Sequence, residues 1–199
     1  NTTLCMASAV TAYCQAFGSD APPCTYEDIP EAECHVVWGA NPAVAHPVMF
    51  RWISQAADEE GVDLIVVDPV RSETAENADH HVSPAPGMDL ALARAVLARV
   101  VETDRVDEEF IETATEGFDD LLATLPSAAT AAERAGVGTS EVDLLADALD
   151  HRTLVYWGMG INQHVQGTET ARALVDLCLA TGNLRPGSGP FSLTGQANS

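Results

Sequence analysis

The spacing of apolar residues along this chain changes repeatedly, and each change marks an element. Residues 33–38, Glu-Cys-His-Val-Val-Trp, are β-branched and aromatic and read as a strand. The run stops at Gly39-Ala40-Asn41-Pro42, and beyond His46-Pro47 the apolar positions Met49, Phe50, Ile53, Ala56 and Ala57 recur at helical spacing. Gly61 ends that helix, and 63–68 is a near-continuous apolar run of the kind buried on both faces of a parallel sheet. Together these segments predict a right-handed βαβ unit.

Further along, the pattern predicts a short helix over 73–77, a strand over 80–82, a turn at 84–87 and a helix over 88–101. Four short helices follow over 107–115, 118–123, 128–135 and 140–148; Ser127 offers a cap for the third, and Thr139 or Ser140 ahead of Glu141 for the fourth. A strand over 152–157 leads through Gly158-Met159-Gly160 to a helix over 168–181. The alternation predicts an α/β fold built on a Rossmann-like parallel sheet. Segments 1–103, 104–150 and 151–199 separate by character, the middle one being a run of short acidic helices.

Composition narrows the setting. Nine basic residues, all arginine, stand against 30 acidic ones, for a net charge of −21, yet 46% of the chain is apolar. A disordered acidic tail is excluded by that apolar content, and nucleic acid or anionic lipid would be repelled. A lysine-free acidic surface fits a salt-rich cytoplasm, where a Debye length of about 3 Å at molar salt removes the self-repulsion. No run is long and apolar enough for a membrane span, and no signal peptide is visible. The five cysteines, at 5, 14, 24, 34 and 178, include no CxxC pair, which argues against a disulfide framework, a structural zinc or an iron–sulfur cluster within these residues.

In an open parallel sheet, ligands bind beyond the carboxyl ends of the strands. Two loops there, 38–43 and 157–163, are rich in Gly and small polar residues; each is either a phosphate cradle or simply a tight strand-to-helix turn. Neither matches GxGxxG or GxxxxGK[ST]. Asp68, closing the second strand, either accepts ribose hydroxyls or caps the loop before Pro69. Asp89 either accepts N–H donors from a guanine edge or complements a helix dipole. Adjacent His80 and His81 point to opposite faces of a strand and do not make a metal site.

The opening residues, Asn1-Thr2-Thr3-Leu4-Cys5-Met6-Ala7-Ser8-Ala9-Val10, resemble the N-x-x-x-C-M-A-S-A-V segment of molybdenum nitrate reductases in the DMSO reductase superfamily. The resemblance continues in order: W-G-[SA]-N and H-P at 38–47, D-P-x-x-[ST]-x-T-A at 68–75, P-G-x-D at 86–89 and G-M-G-[IF]-N-Q at 158–163. It ends with T-G-N and P-G-[ST]-G-P-F-S-[LI]-T-G-Q at 181–196, so that it spans essentially the whole chain.

The resemblance implies a haloarchaeal-type assimilatory nitrate reductase catalytic subunit carrying molybdenum as bis-molybdopterin guanine dinucleotide, and reducing nitrate to nitrite by oxygen-atom transfer. It implies Cys5 as the metal ligand, a soft thiolate suited to a redox-active metal, with Met6 beside the metal shaping a pocket for a small anion. Asn1 touches the cofactor; Trp38, Gly39, Ala40, Asn41, Pro42, Ala43, Val44 and Ala45 cradle one dinucleotide arm. Asp68, Pro69, Val70, Arg71 and Ser72 serve its ribose side and Gly87, Met88 and Asp89 its guanine, while Met159 and Gln163 contact the pterin region.

On the same ground, 1–103 is a cofactor-binding α/β segment, 104–150 a helical one and 151–199 a second dinucleotide-binding one, all parts of one larger subunit. The start at Asn1 rather than Met is expected of an internal fragment, inactive alone. A [4Fe-4S] cluster is expected ahead of Asn1, with a ferredoxin or a reductase subunit as electron donor and a cytoplasmic location. Formate dehydrogenases, which usually carry His where Met6 stands, are the nearest alternative, followed by a non-catalytic structural relative and by an α/β nucleotide-binding domain unrelated to pterin.

Overall fold

A computed structural model describes residues 5–193. Five parallel strands form one sheet in the order β3-β2-β1-β4-β5. They are β1 (Cys34–Trp38), β2 (Asp63–Val67), β3 (His80–Val82), β4 (Thr153–Trp157) and β5 (Gly189–Ser192). The helices are α1 (Ala7–Phe17), α2 (Pro42–Ala45), α3 (Pro47–Ala57), α4 (Glu73–Glu76), α5 (Asp89–Glu102), α6 (Glu108–Ala114), α7 (Phe118–Leu122), α8 (Ala128–Ala135), α9 (Thr139–Ala148), α10 (Met159–Asn162) and α11 (Gly167–Ala180). A 3-10 turn, Tyr26–Glu31, precedes β1.

Both faces of the sheet are covered, which is why its strands read as continuous apolar runs rather than alternating ones. One face places Val36, Trp38, Ile65, Val67, Val155 and Trp157 against α1, α5, α8, α9 and α11. The other places Val37, Leu64, Val66, Leu154 and Tyr156 against α3 and the 3-10 turn. Trp38, Trp157, Tyr13 and Tyr156 are the largest fully buried side chains. Each such burial contributes roughly 1.5–3 kcal/mol, so the sheet centre carries much of the stability.

The β1-to-β2 connection runs outward through α3 on one face, and the β4-to-β5 connection runs the other way through α11 on the opposite face. Right-handed crossovers leaving a sheet centre in opposite directions must lie on opposite faces. Adjacent β1 and β4 therefore flank the point where the strand order reverses, and a crevice opens beyond their carboxyl ends.

Strands β1 to β4, helices α3 to α9 and α11 fall within a residue or two of the periodicity, whereas α1 and the short α2 and α10 were not foreseen; Ser127 caps α8 by accepting the Thr130 N–H at 3.3 Å. The cap of α9 differs: Gly138 stands at the N-cap, and the Glu141 carboxylate accepts its N–H at 2.7 Å. Glycine there leaves the backbone open for the reaching carboxylate. Strand β5 was not foreseen, because Gly189 and Pro190 read as loop; proline is tolerated where a strand forms the sheet edge.

Candidate functional site

The crevice is built on glycine. Gly39, the first residue beyond β1, takes φ +57° and donates its N–H to the Val67 carbonyl at 2.8 Å. Its own carbonyl accepts the Gly160 N–H at 2.9 Å. The loops after β1 and β4 thus touch backbone to backbone, and a Cβ on Gly158 would stand 2.9 Å from the Ala40 Cβ. Bare backbone of this kind lets a ligand approach the strand ends closely.

Cys5 reaches the crevice from just ahead of α1. Its Sγ lies 3.4 Å from the Met159 Sδ, and in the first turn of α1 the Ser8 hydroxyl donates to the Asn162 backbone carbonyl at 2.8 Å. Asn162 Oδ1 accepts the Trp157 Nε1–H at 3.1 Å. Farther along α1, the Tyr13 hydroxyl donates to the Pro190 carbonyl at 3.2 Å and accepts the Ser192 N–H at 2.9 Å, so the helix is tied to β5 as well. Cys5 is half-buried, whereas Cys24, Cys34 and Cys178 are buried in the core. Burial pushes the thiols of Cys24 and Cys34 up to about 12 and that of Cys178 well above its ordinary value, as expected of inert core cysteines. Cys14 lies exposed on α1.

The loop after β1 is pinned sideways. Asn41 Oδ1 accepts from the Thr74 N–H at 3.2 Å and the Thr74 hydroxyl at 2.8 Å, while its Nδ2 donates to Glu73 at 2.7 Å. The Thr74 hydroxyl oxygen also accepts the Ala43 N–H at 3.0 Å. Asn41 therefore locks the loop to α4, whose N-cap is Ser72. Pro42 is buried, Ala43 half-buried, and Val44 and Ala45 face outward.

Asp68 Oδ1 accepts the Val70 N–H at 2.8 Å, the loop-capping arrangement, and its carbonyl oxygen lies 2.8 Å from His81 Nε2. Burial holds the Asp68 carboxyl above its ordinary range, against the Val70 bond and His81, and the nearby Asp89 charge adds to the rise. Pro69, Val70 and Arg71 are exposed. Asp89, at the start of α5, accepts the Trp38 indole N–H at 3.0 Å, so one carboxylate oxygen is engaged within the fold. It nevertheless lines a cleft of about 110 Å³ with Gly87, Gly160, His164 and Gln166. Met88 is half-buried beside it, and Gln163 lies exposed at the end of α10.

Apart from Trp38, which ends β1 itself, the described residues singled out from sequence thus lie on the loops and helices that follow β1, β2, β3 and β4, with Cys5 and Met6 brought in just ahead of α1. Asn1 lies outside the described residues. Sequence reasoning placed Gly160 and Asn162 only within the 157–163 loop and gave no individual role to them or to Ser8; the available signal was that Ser8 and Asn162 each stand three positions after a singled-out residue, Cys5 and Met159.

The sequence profile of the molybdopterin oxidoreductases matches residues 1–199. The chain belongs to that family. Across its full length it is 68% identical to the assimilatory nitrate reductase of Haloferax mediterranei, of which it covers 28%. It is 38% identical to the nitrate reductase of Synechocystis over 206 aligned residues, covering all of this chain and 29% of that protein. The F420-dependent formate dehydrogenase subunit alpha of Methanocaldococcus jannaschii is 32% identical over 196 residues, covering 96% of this chain and 29% of that protein. Acetylene hydratase from Pelobacter acetylenicus shares the fold, with a TM-score of 0.82 at 23% identity over 94% of this chain and 26% of that one. The chain spans less than a third of the length of these relatives.

The residues of this member of the molybdopterin oxidoreductase family fit a molybdenum–molybdopterin cofactor. Among the described residues no group of three or more His, Cys, Asp or Glu side chains could hold a metal ion. A metal at Cys5 would draw its other ligands from groups beyond these side chains, and the Gly39–Gly160 contact supplies a side-chain-free wall for a cofactor to lie against. A thiol beside a thioether is a soft donor environment, suited to a metal that changes oxidation state.

Proposed function

We propose that this chain is part of the catalytic subunit of an assimilatory nitrate reductase, and that Cys5 is the protein ligand of its molybdenum. The observation that carries the reading is the position of Cys5: a half-buried thiol at the reversal point of a parallel sheet, 3.4 Å from Met159, in a chain 68% identical throughout to a nitrate reductase. When bound, the molybdenum cofactor supplies the two-electron removal of an oxygen atom that turns nitrate into nitrite.

The chain's own residues hold and orient. Cys5 anchors the metal, and Met6 and Met159 present apolar, polarizable sulfur side chains that exclude water without adding charge beside a small anion. The loops after β1 and β4 hold the cofactor with backbone. Residues 68–72 and 87–89 reach its nucleotide ends, with Asp68 and Asp89 as acceptors in a bis-molybdopterin guanine dinucleotide. No side chain here is needed as a general acid.

The charge of −21 without a single lysine supports work in a salt-rich cytoplasm. Among the described residues no helix is long and apolar enough to cross a membrane. A [4Fe-4S] cluster and a ferredoxin or reductase partner would complete the electron path in the full subunit. Without them the 199-residue stretch is expected to be inactive.

The deciding experiment uses the full-length subunit from cells supplied with molybdate. Molybdenum and guanine nucleotide should co-purify, nitrate should be reduced and formate left unoxidised, and Cys5→Ala should abolish activity and change the electron paramagnetic resonance signal of the metal while the protein stays folded. Formate oxidation without nitrate reduction, or an unchanged metal signal in Cys5→Ala, would overturn the proposal.

A further inference from the structure

Cys5 stands directly ahead of Met6, the N-cap of α1, and Ser8 lies in the first turn of that helix, while Met159 and Asn162 are one turn apart in α10. The two elements meet rung for rung, with Cys5 Sγ 3.4 Å from Met159 Sδ and the Ser8 hydroxyl 2.8 Å from the Asn162 carbonyl oxygen. A Cβ on Gly167 would stand 2.5 Å from that carbonyl oxygen and 2.8 Å from Ser8 Oγ, so the second rung is closed in behind by bare backbone.

Asn162 is fixed from the sheet side. The indole N–H of Trp157 can only donate, so the Asn162 atom 3.1 Å from it must be the amide oxygen, and the flip of the amide is settled. The opposite atom, Nδ2, is then a buried donor without a partner among the described residues, and the residue as a whole is only 6% exposed. A buried donor without an acceptor is costly, and it is retained where a bound group or an ordered water completes it.

We infer that Ser8 and Asn162 are positioning residues that set where the Cys5 sulfur stands in the crevice. The inference rests on the reading of Cys5 as the metal ligand. The body of α1 is held independently by Tyr13, bonded to Pro190 and Ser192 in β5. The first turn, which follows Cys5 directly in the chain, is held to the β4 loop by Ser8. Trp157 transmits the sheet's rigidity to Asn162, Asn162 to Ser8, and Ser8 to the turn that presents Cys5. Removing the Ser8 hydroxyl leaves the helix docked and frees its first turn.

The test compares wild type, Ser8→Ala and Ser8→Thr in the full-length subunit. Alanine is the best helix former, so Ser8→Ala is expected to fold. In cofactor-free protein, the alkylation rate of Cys5 by iodoacetamide, followed by peptide mass spectrometry with exposed Cys14 as internal reference, should rise several-fold in Ser8→Ala and stay at the wild-type rate in Ser8→Thr. In cofactor-loaded protein, the electron paramagnetic resonance signal of the metal centre should shift or broaden in Ser8→Ala. Its kcat should fall about ten-fold with KM for nitrate changed less than about two-fold.

A Ser8→Ala protein that melts at a lower temperature but keeps wild-type Cys5 alkylation and an unchanged metal signal would show a merely structural serine and overturn the inference. If the wild-type subunit carries no molybdenum, the functional proposal fails by itself, and the alkylation rates still decide whether Ser8 positions Cys5.

Discussion

Gly160 leaves no space for a side chain against Gly39: a Cβ on Gly160 would lie 2.6 Å from the Gly39 carbonyl oxygen and 2.8 Å from its Cα. The obstacle is backbone, so neither loop can yield by turning a rotamer. Gly160→Ala is expected to cost about 1–3 kcal/mol through overpacking, and to part the two loops that frame the crevice. A lower melting temperature together with lost cofactor content in the full-length subunit is the expected outcome. Retention of both would show that the loops separate without consequence.

Asp89 is tied to Trp38 by a buried hydrogen bond of 3.0 Å. Asp89→Leu leaves the indole N–H without its acceptor, at a cost of about 1–3 kcal/mol, whereas Asp89→Asn keeps an acceptor and should cost less. If Asp89 also meets the guanine, both variants should lose nucleotide, and the asparagine variant would do so with the fold nearly intact. Melting curves and nucleotide content, measured side by side, separate the two roles.

His35 sits buried in β1 with Nδ1 3.1 Å from the Tyr156 hydroxyl, and burial pulls its pKa down to about 4 from 6.5. The unfolded chain therefore binds a proton between pH 6.5 and 4 that the folded chain refuses, and the stability linked to His35 is lost as pH falls through that window. The loss amounts to roughly 3 kcal/mol at its fullest. His35→Gln should flatten this part of the stability profile, visible as a wild-type-minus-variant difference that shrinks steadily on acidification.

Asp176 has the opposite sign. Burial raises its carboxyl from 3.8 to about 6, although Arg172 and Arg94 pull it down. The folded chain takes up a proton between pH 6 and 3.8 that the unfolded chain does not, so stability falls as pH rises through that range and the full cost stands above it. Asp176→Asn should stabilise by up to about 3 kcal/mol at pH 7.5 and by little below pH 4. A gain independent of pH would mean that packing rather than charge decides.

Much of the fold was legible along the chain because its signals are local. Continuous apolar runs over 63–68 and 152–157 announced strands buried on both faces, and Ser127 announced the start of α8. Strand β5 was hidden because Gly189 and Pro190 lack strand propensity and enter the sheet only by pairing with Leu154 and Val155. The α9 cap lies one or two residues ahead of the expected Thr139 or Ser140, because the helix starts at Thr139 and the Glu141 carboxylate reaches back to the Gly138 N–H. Asn41 read as part of a cofactor cradle, yet its amide is spent on Thr74 and Glu73, partners brought near only by the β2–α4 return.

By itself the sequence determined the α/β class, the acidic surface and the ordered motifs that place the chain among the molybdopterin oxidoreductases, since composition, periodicity and motif order are properties of the chain read end to end. Tertiary structure alone decided that Cys5 meets Met159, that Ser8 meets Asn162 and that Trp38 holds Asp89. The physical reason is separation: Cys5 and Met159 stand 154 positions apart. Such pairs meet only because strand order reverses between β1 and β4, and because the bare backbone of Gly39 and Gly160 lets the two loops close on one another.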